Sequence, residues 1–174
     1  EGTERGGGGG GAGLRARPPR CGTGGTERRR FAALKVRGRE RGPTHVGADS
    51  GCHAGAALAP FNVGNTVRGY GLGLAGSAGI APAFGRRVIS IMGDGGFWHN
   101  GLTSGIANAQ ANQNDSILLI VKNGYTSATG RPLLPSRPHD RHGRPRTTSI
   151  EKNPNAPGIK WVRNTNNLSV ARMS

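Results

Sequence analysis

Cysteine is scarce in this chain: two residues, Cys21 and Cys52, among 174. Two thiols cannot furnish the four thiolates of an iron–sulfur cluster, and without a CxxC pair there is no structural zinc site of the usual kind. Aromatic residues are 5% of the chain, and residues 1–50 hold only Phe31, which denies that basic stretch the stacking platforms that single-stranded nucleic acid requires. No apolar run approaches the ~20 residues that span a bilayer. No basic segment followed by an apolar core marks an export signal. The expectation is a soluble protein of a reducing compartment, the cytoplasm.

Acids are also few, 9 against 24 Lys and Arg, for a net charge of +15. The excess is unevenly placed. Residues 1–50 carry 11 basic and 5 acidic side chains, residues 131–174 carry 9 and 2, and the middle, 51–130, carries 4 and 2. Charge therefore accumulates in the flanks, outside the segment with hydrophobic periodicity, where solvated chain is the ordinary outcome. Residues 1–43, with six consecutive glycines at 6–11, Pro18-Pro19 and Arg28-Arg29-Arg30, have too little apolar surface to offset ordering entropy and read as disordered. Within them Phe31 to Val36 has the makings of a short helix or strand. Residues 44–174 read as one incomplete domain interrupted by a basic, Pro-rich loop at 131–148. The chain ends in what reads as mid-element, as part of a larger architecture.

Inside that domain the pattern is α/β: a parallel sheet with flanking helices. Arg87 to Met92 and Ser116 to Val121 are apolar, β-branched runs of strand length. Asn100 to Asn112 has Leu102, Ile106 and Ala109 at helical spacing, with Asn100 as its N-cap. Thr66 to Ala83, rich in small residues, makes a poor isolated helix but a sensible buried one. Gly158 to Val162 is a candidate third strand and Leu168 to Met173 the start of a further helix. Strands buried on both faces and separated by a helix imply parallel crossovers.

The most specific feature lies at the ends of the two main strands. Val88-Ile89-Ser90-Ile91-Met92 runs into Gly93-Asp94-Gly95-Gly96, and 29 residues after Asp94 the second strand ends on Asn123-Gly124-Tyr125. Ligands of open parallel sheets bind outside the carboxyl ends of the strands. A carboxylate and a carboxamide placed there, with the Tyr125 carbonyl, offer three oxygens to one hard cation. Mg²⁺ prefers such oxygens and completes its octahedron with phosphate and water. Gly95 and Gly96 leave backbone N–H groups open to phosphate, and the helix that begins near Asn100 adds a favourable dipole.

Met92-Gly93-Asp94-Gly95-Gly96 followed at this distance by Asn123-Gly124-Tyr125 resembles the diphosphate-binding domain of thiamine-diphosphate enzymes. More narrowly, Gly93 to Gly101 and Asn123 to Gly130 look like indolepyruvate ferredoxin oxidoreductase, of the 2-oxoacid:ferredoxin oxidoreductase family. Ala48-Asp49-Ser50-Gly51-Cys52-His53, Pro60-Phe61-Asn62, Gly69-Tyr70-Gly71-Leu72-Gly73, Ser149-Ile150-Glu151-Lys152 and Gly158 to Arg163 fit the same family. The resemblance implies that Asp94, Asn123 and the Tyr125 carbonyl hold Mg²⁺ and that Gly93, Gly95, Gly96 and Phe97 line the diphosphate. It implies that Gly51, Cys52 and His53 lie near the thiazolium, with Cys52 and His53 as candidate catalytic groups, and that Gly69, Tyr70 and Gly71 wall the pocket. The implied activity is oxidative decarboxylation of aryl 2-oxo acids such as indolepyruvate to the acyl-CoA, with electrons passed to ferredoxin. Such enzymes also need a carboxylate against the aminopyrimidine, from a pyrimidine-binding domain, together with iron–sulfur clusters and carrier partners. This sequence contains neither the domain nor the clusters, so the resemblance implies a fragment that does not turn over alone, and a dimer in the complete enzyme.

Two other readings compete. Gly71-Leu72-Gly73-Leu74-Ala75-Gly76 is a formal GxGxxG, and Asp94 follows at the spacing of a ribose-binding acid, as in an NAD(P)-binding Rossmann domain. That reading lacks a strand before the glycines and leaves Asn123 unexplained. The basic flanks admit a non-specific nucleic-acid-binding protein. His99 beside Trp98 reads as a packed ring, and His139 and His142 in the basic loop receive no role.

Overall fold

The computed structural model describes residues 26–124, 126, 134–146, 148–153, 159 and 163. The chain runs α1 (Thr26–Arg41), β1 (Val46–Ala48), a 3-10 turn (Cys52–Ala57), β2 (Thr66–Val67), α2 (Gly73–Phe84), β3 (Ile89–Gly93), a long helix and β4 (Ile117–Val121). The long helix, α3, is wound in three consecutive stretches: Asp94–Gly96, a wider π-helical Phe97–Ile106, and Ala107–Ala111. The sheet order is β2-β1-β3-β4 and every pairing is parallel. This is the parallel α/β architecture that the buried apolar runs require.

Alternation along β3 decides the two cores. Ile89 and Ile91 pack with Phe31, Val46, Ala56 and Val121 on one face, and Met92 packs with Leu74, Phe97 and Ile106 on the other. Helix α1 and the 3-10 turn cover the first face; α2 and α3 cover the second. Each fully buried branched side chain contributes about 1.5–3 kcal/mol relative to exposure. The central strand therefore supplies much of the core.

The structure departs from the sequence expectations at several places. Residues 26–41, expected to lack structure on composition, form the 16-residue α1. Its apolar residues are few but they fall together: Phe31 is wholly buried, meets the Phe61 ring edge-on at 5.3 Å, and has Leu34 beside it in the same core. Phe31, Ala33 and Leu34 together dock a helix whose average polarity hides them. Residues 1–25 lie outside the described residues.

The expected helix over Thr66 to Ala83 starts later, at Gly73, because Thr66 and Val67 pair with Gly47 and Ala48 as β2. Pro82 sits in its last turn and cannot donate to the Ala78 carbonyl. Asn114 replaces that donor, its Nδ2 reaching the Ala78 carbonyl at 3.1 Å. Gly85, at φ 63°, ends the helix in the left-handed conformation.

Asn100 is not an N-cap. The helix begins at Asp94, directly on the end of β3, with Gly93 in the capping position. Asn100 instead starts a ladder along the helix: Ser104 Oγ donates to Asn100 Oδ1 at 2.6 Å, and Asn108 and Asn112 donate to the carbonyls of Ser104 and Asn108. The favourable helix dipole thus points from Asp94, one turn and a half earlier than expected.

Strand β4 was expected to be buried on both faces, yet Ile117 is 39% exposed and Leu118 to Ile120 are half-buried. Among the described residues it is an edge strand, paired only with β3. The expected elements at Gly158 to Val162 and Leu168 to Met173 lie outside the described residues, apart from Ile159.

Candidate cofactor site at the strand ends

Because the sheet is parallel, β1, β3 and β4 release their chains at the same edge. Gly93 pairs with Val121, so Asp94 and the Lys122-Asn123-Gly124 turn emerge side by side. Asp94 is 1% exposed. Its Oδ1 accepts the Gly95 N–H at 3.0 Å, and its Oδ2 accepts the N–H groups of Asn123 at 3.1 Å and Gly124 at 2.7 Å. The carboxylate therefore ties the end of β3 to the end of β4. The side chain of Asn123 is exposed. Tyr125 lies outside the described residues.

A second acid, Asp49, occupies the end of β1 and is wholly buried. Its Oδ1 accepts the N–H of Ser50 at 2.5 Å and of Gly71 at 2.7 Å. Burial pushes its pKa up, against the lowering influence of the Gly71 N–H, His53 and the Ser50 N–H. Asp49 stands at the end of β1 as Asp94 stands at the end of β3, but the three-residue strand before it is too short to be read from periodicity. His53, 4% exposed, lies between Asp49 and α1, with Nε2 3.9 Å from Asp49 Oδ2 and Nδ1 3.9 Å from Glu27 Oε1.

The glycines between these acids have almost no free volume. A Cβ on Gly96 would overlap Asp49 Oδ2, and one on Gly95 would overlap the Tyr70 hydroxyl and come within 2.5 Å of the Thr126 methyl. Gly71, at φ +81°, lies against α3, where a Cβ would fall 2.8 Å from both Asn100 Cβ and the Gly101 nitrogen. Tyr70 thus closes over Gly95 and stacks at a tilt on His99, ring centres 5.2 Å apart. Burial raises its pKa, and the negative charges of Asp49 and Asp94 raise it further.

The structure thereby brings Gly51, His53, Gly71, Gly93, Asp94, Gly95, Gly96 and the Asn123 backbone to one sheet edge. Cys52 is exposed, and Gly69 is exposed beside Leu72. The Phe97 side chain points elsewhere: it is 1% exposed in the Leu74–Met92–Ile106 core and meets Trp98 edge-on. Of the two backbone N–H groups expected to be open to phosphate, that of Gly95 is engaged by Asp94.

A carboxylate has about four lone-pair sites, and Asp94 Oδ1 accepts one N–H in contrast to the two on Oδ2. Among the described residues no group of three His, Cys, Asp or Glu side chains is disposed to bind a metal. One carboxylate, neutral oxygens and phosphate form the donor set that Mg²⁺ accepts. Among the described residues no helix is long and apolar enough to cross a membrane.

The GxGxxG of residues 71–76 follows a strand after all, the two-residue β2. However, β1 separates β2 from β3, so the glycine turn and Asp94 are not on neighbouring strands as a dinucleotide fold requires. Gly71 and Gly73 are buried against protein rather than open to a ligand.

Comparison with known proteins agrees with the strand-end geometry. The thiamine pyrophosphate enzyme C-terminal TPP binding domain matches residues 49–171. Indolepyruvate oxidoreductase subunit IorA of Methanothermobacter thermautotrophicus is 28% identical over 127 residues, which is 72% of this chain and 20% of that protein. The corresponding subunit of Methanothermobacter marburgensis matches equally, again at 28% over 127 residues. The chain thus spans about a fifth of the length of the curated relatives it matches, 20% in each case. No solved structure matches it significantly. With the family matched from Asp49 onward, across both strand-end turns, the chain belongs to the thiamine pyrophosphate enzymes and carries their C-terminal, TPP-binding domain.

Proposed function

We propose that this chain holds thiamine diphosphate through Mg²⁺ at the edge formed by β1, β3 and β4, as part of an oxidative decarboxylase of aryl 2-oxo acids. Asp94, the Asn123 side chain and the Tyr125 carbonyl are the metal ligands. Gly93, Gly95, Gly96 and the Phe97 backbone flank the diphosphate; Gly51, Cys52, His53, Gly69 and Tyr70 surround the rest of the coenzyme, with Gly71 packed behind them against α3. When bound, the coenzyme would supply the nucleophilic carbon and the electron sink for decarboxylation. The chain's own residues bind and orient it, and Tyr70 shields the turn from water.

The observation that carries the reading is the buried Asp94 carboxylate gathering the N–H groups of Asn123 and Gly124. It fixes an acid and an amide residue in one turn-to-turn arrangement before any ligand arrives, which lowers the cost of binding. The substrate is an indolepyruvate-like 2-oxo acid, the acyl group leaves on CoA, and electrons pass to ferredoxin. This wider chemistry belongs to an assembly that brings the pyrimidine-binding domain, the clusters and the carriers, in the cytoplasm and as a dimer. By itself the chain binds coenzyme without turning over.

Calorimetry of the 174-residue chain with thiamine diphosphate and Mg²⁺ tests the reading. Binding is expected that vanishes with EDTA or Asp94→Ala and weakens in Asn123→Ala. Equal affinity in wild type and Asp94→Ala contradicts it, as does a preference for NAD without metal.

A further inference from the structure

Three of the buried polar atoms without a hydrogen-bond partner among the described residues are Glu27 Oε2, His53 Nε2 and Asp49 Oδ2. They belong to a chain of groups that starts on α1, outside the family-matched residues 49–171. Glu27 Oε1 faces His53 Nδ1 at 3.9 Å, and His53 Nε2 faces Asp49 Oδ2 at 3.9 Å. The side chains of His53 and Asp49 are 5% and 0% exposed. At the far end Asp49 holds the Gly71 N–H, and its Oδ2 fills the space a side chain on Gly96 would need. His53 Cε1 lies 3.6 Å from where a Gly93 Cβ would stand.

We infer that Glu27 is a positioning residue for the coenzyme site: it orients His53, which orients Asp49, which sets the Gly71 and Gly96 turns. This rests on the coenzyme reading above. The physical argument is one of proton count. Two carboxylates flank one imidazole, and a neutral ring has one N–H to offer; we assign it to Nδ1, facing Glu27, with Nε2 facing the Asp49 carboxyl. Burial drives Asp49 towards its neutral form, whose O–H suits an unprotonated Nε2. Without Glu27 nothing on α1 selects the Nδ1–H tautomer, and Asp49 loses its oriented partner. Both gaps, at 3.9 Å, are longer than a hydrogen bond, and the unbranched Glu27 side chain has the staggered rotamers needed to shorten the first.

Long-range ¹H–¹⁵N spectra of the full chain report the His53 ring directly, with coenzyme affinity measured by calorimetry alongside. Wild type is expected to show protonated Nδ1. Glu27→Ala abolishes that signature and weakens coenzyme binding about tenfold, the scale of an outer partner. Glu27→Gln, whose amide oxygen still accepts from Nδ1, restores the signature and most of the affinity. An Nε2–H tautomer in wild type, a signature unchanged in Glu27→Ala, or a lost signature with full affinity overturns the inference. A wild-type chain that binds no coenzyme overturns the coenzyme reading instead, and the ring signature still decides the Glu27–His53 link.

Discussion

Gly71 and Gly96 show how closely the site residues depend on their neighbours. At Gly71 a methyl group meets the backbone and side chains of α3 and must also adopt φ +81°. At Gly96 it meets a wholly buried carboxylate that has nowhere to retreat. Either change to Ala is expected to cost about 2–3 kcal/mol, overpacking in the one case and overpacking plus backbone strain in the other. Urea denaturation measures this, and an unchanged midpoint contradicts the packing described. Gly143, at φ +76° with open space around it, separates the two causes: Gly143→Ala carries backbone strain alone and is expected to cost less. At this scale the sequence was informative about Asp94, whose position at the end of an apolar run follows from strand length and alternation. It was silent on Asp49, although Asp49 ends β1, because three residues are too few to reveal a strand by periodicity. Glu27 was hidden for a different reason, since its contact with His53 spans two segments that no local pattern connects.

Elements are held by polar ties that composition does not display. Asn114 takes the carbonyl that Pro82 orphans on α2. Asn114→Ala is expected to lose about 1 kcal/mol in thermal or urea unfolding, and a Pro82→Ala background should remove most of that loss by restoring the helical donor. A change of equal size in both backgrounds contradicts the pairing. Beyond β4, Glu151 accepts from the Ser149 hydroxyl and from Lys122 Nζ, the latter at 3.1 Å. The Ser149 hydroxyl first, and Lys122 among the remaining causes, hold its pKa down at about 2. For a carboxylate with a depressed folded pKa, the stabilisation is complete above its ordinary value and disappears as pH falls towards 2. The gap between wild type and Glu151→Gln is expected to be about 1 kcal/mol at neutral pH after solvent screening. It narrows steadily as the solution is acidified below about pH 4.5; a gap independent of pH contradicts the tie. The strands β3 and β4 were legible because each is a continuous apolar run. The start of α3 was not, because Gly-Asp-Gly-Gly has low helix propensity, and the helix is imposed there by the Asp94 bonds and by packing of Phe97.

The whole molecule separates charge from chemistry. Its +15 net charge resides largely in residues 1–50 and 131–174 of the sequence, and α1 shows that a basic segment can still dock through buried Phe31 and Ala33. Charge of this sign attracts any polyanion in a strongly salt-dependent way. Oligonucleotide binding is therefore expected to fall steeply between 50 and 200 mM salt, roughly as counterion release dictates. Coenzyme binding through a chelated cation falls much less, and parallel salt slopes for both ligands would place the coenzyme on the basic surface instead. The central claim concerns where the metal sits, and paramagnetic broadening by Mn²⁺ in the presence of thiamine diphosphate measures it most directly. The account predicts selective loss of the amide signals of Asp94, Gly95, Asn123 and Gly124, abolished in Asp94→Ala. Broadening centred on His139 and His142, or the same pattern in Asp94→Ala, would contradict it.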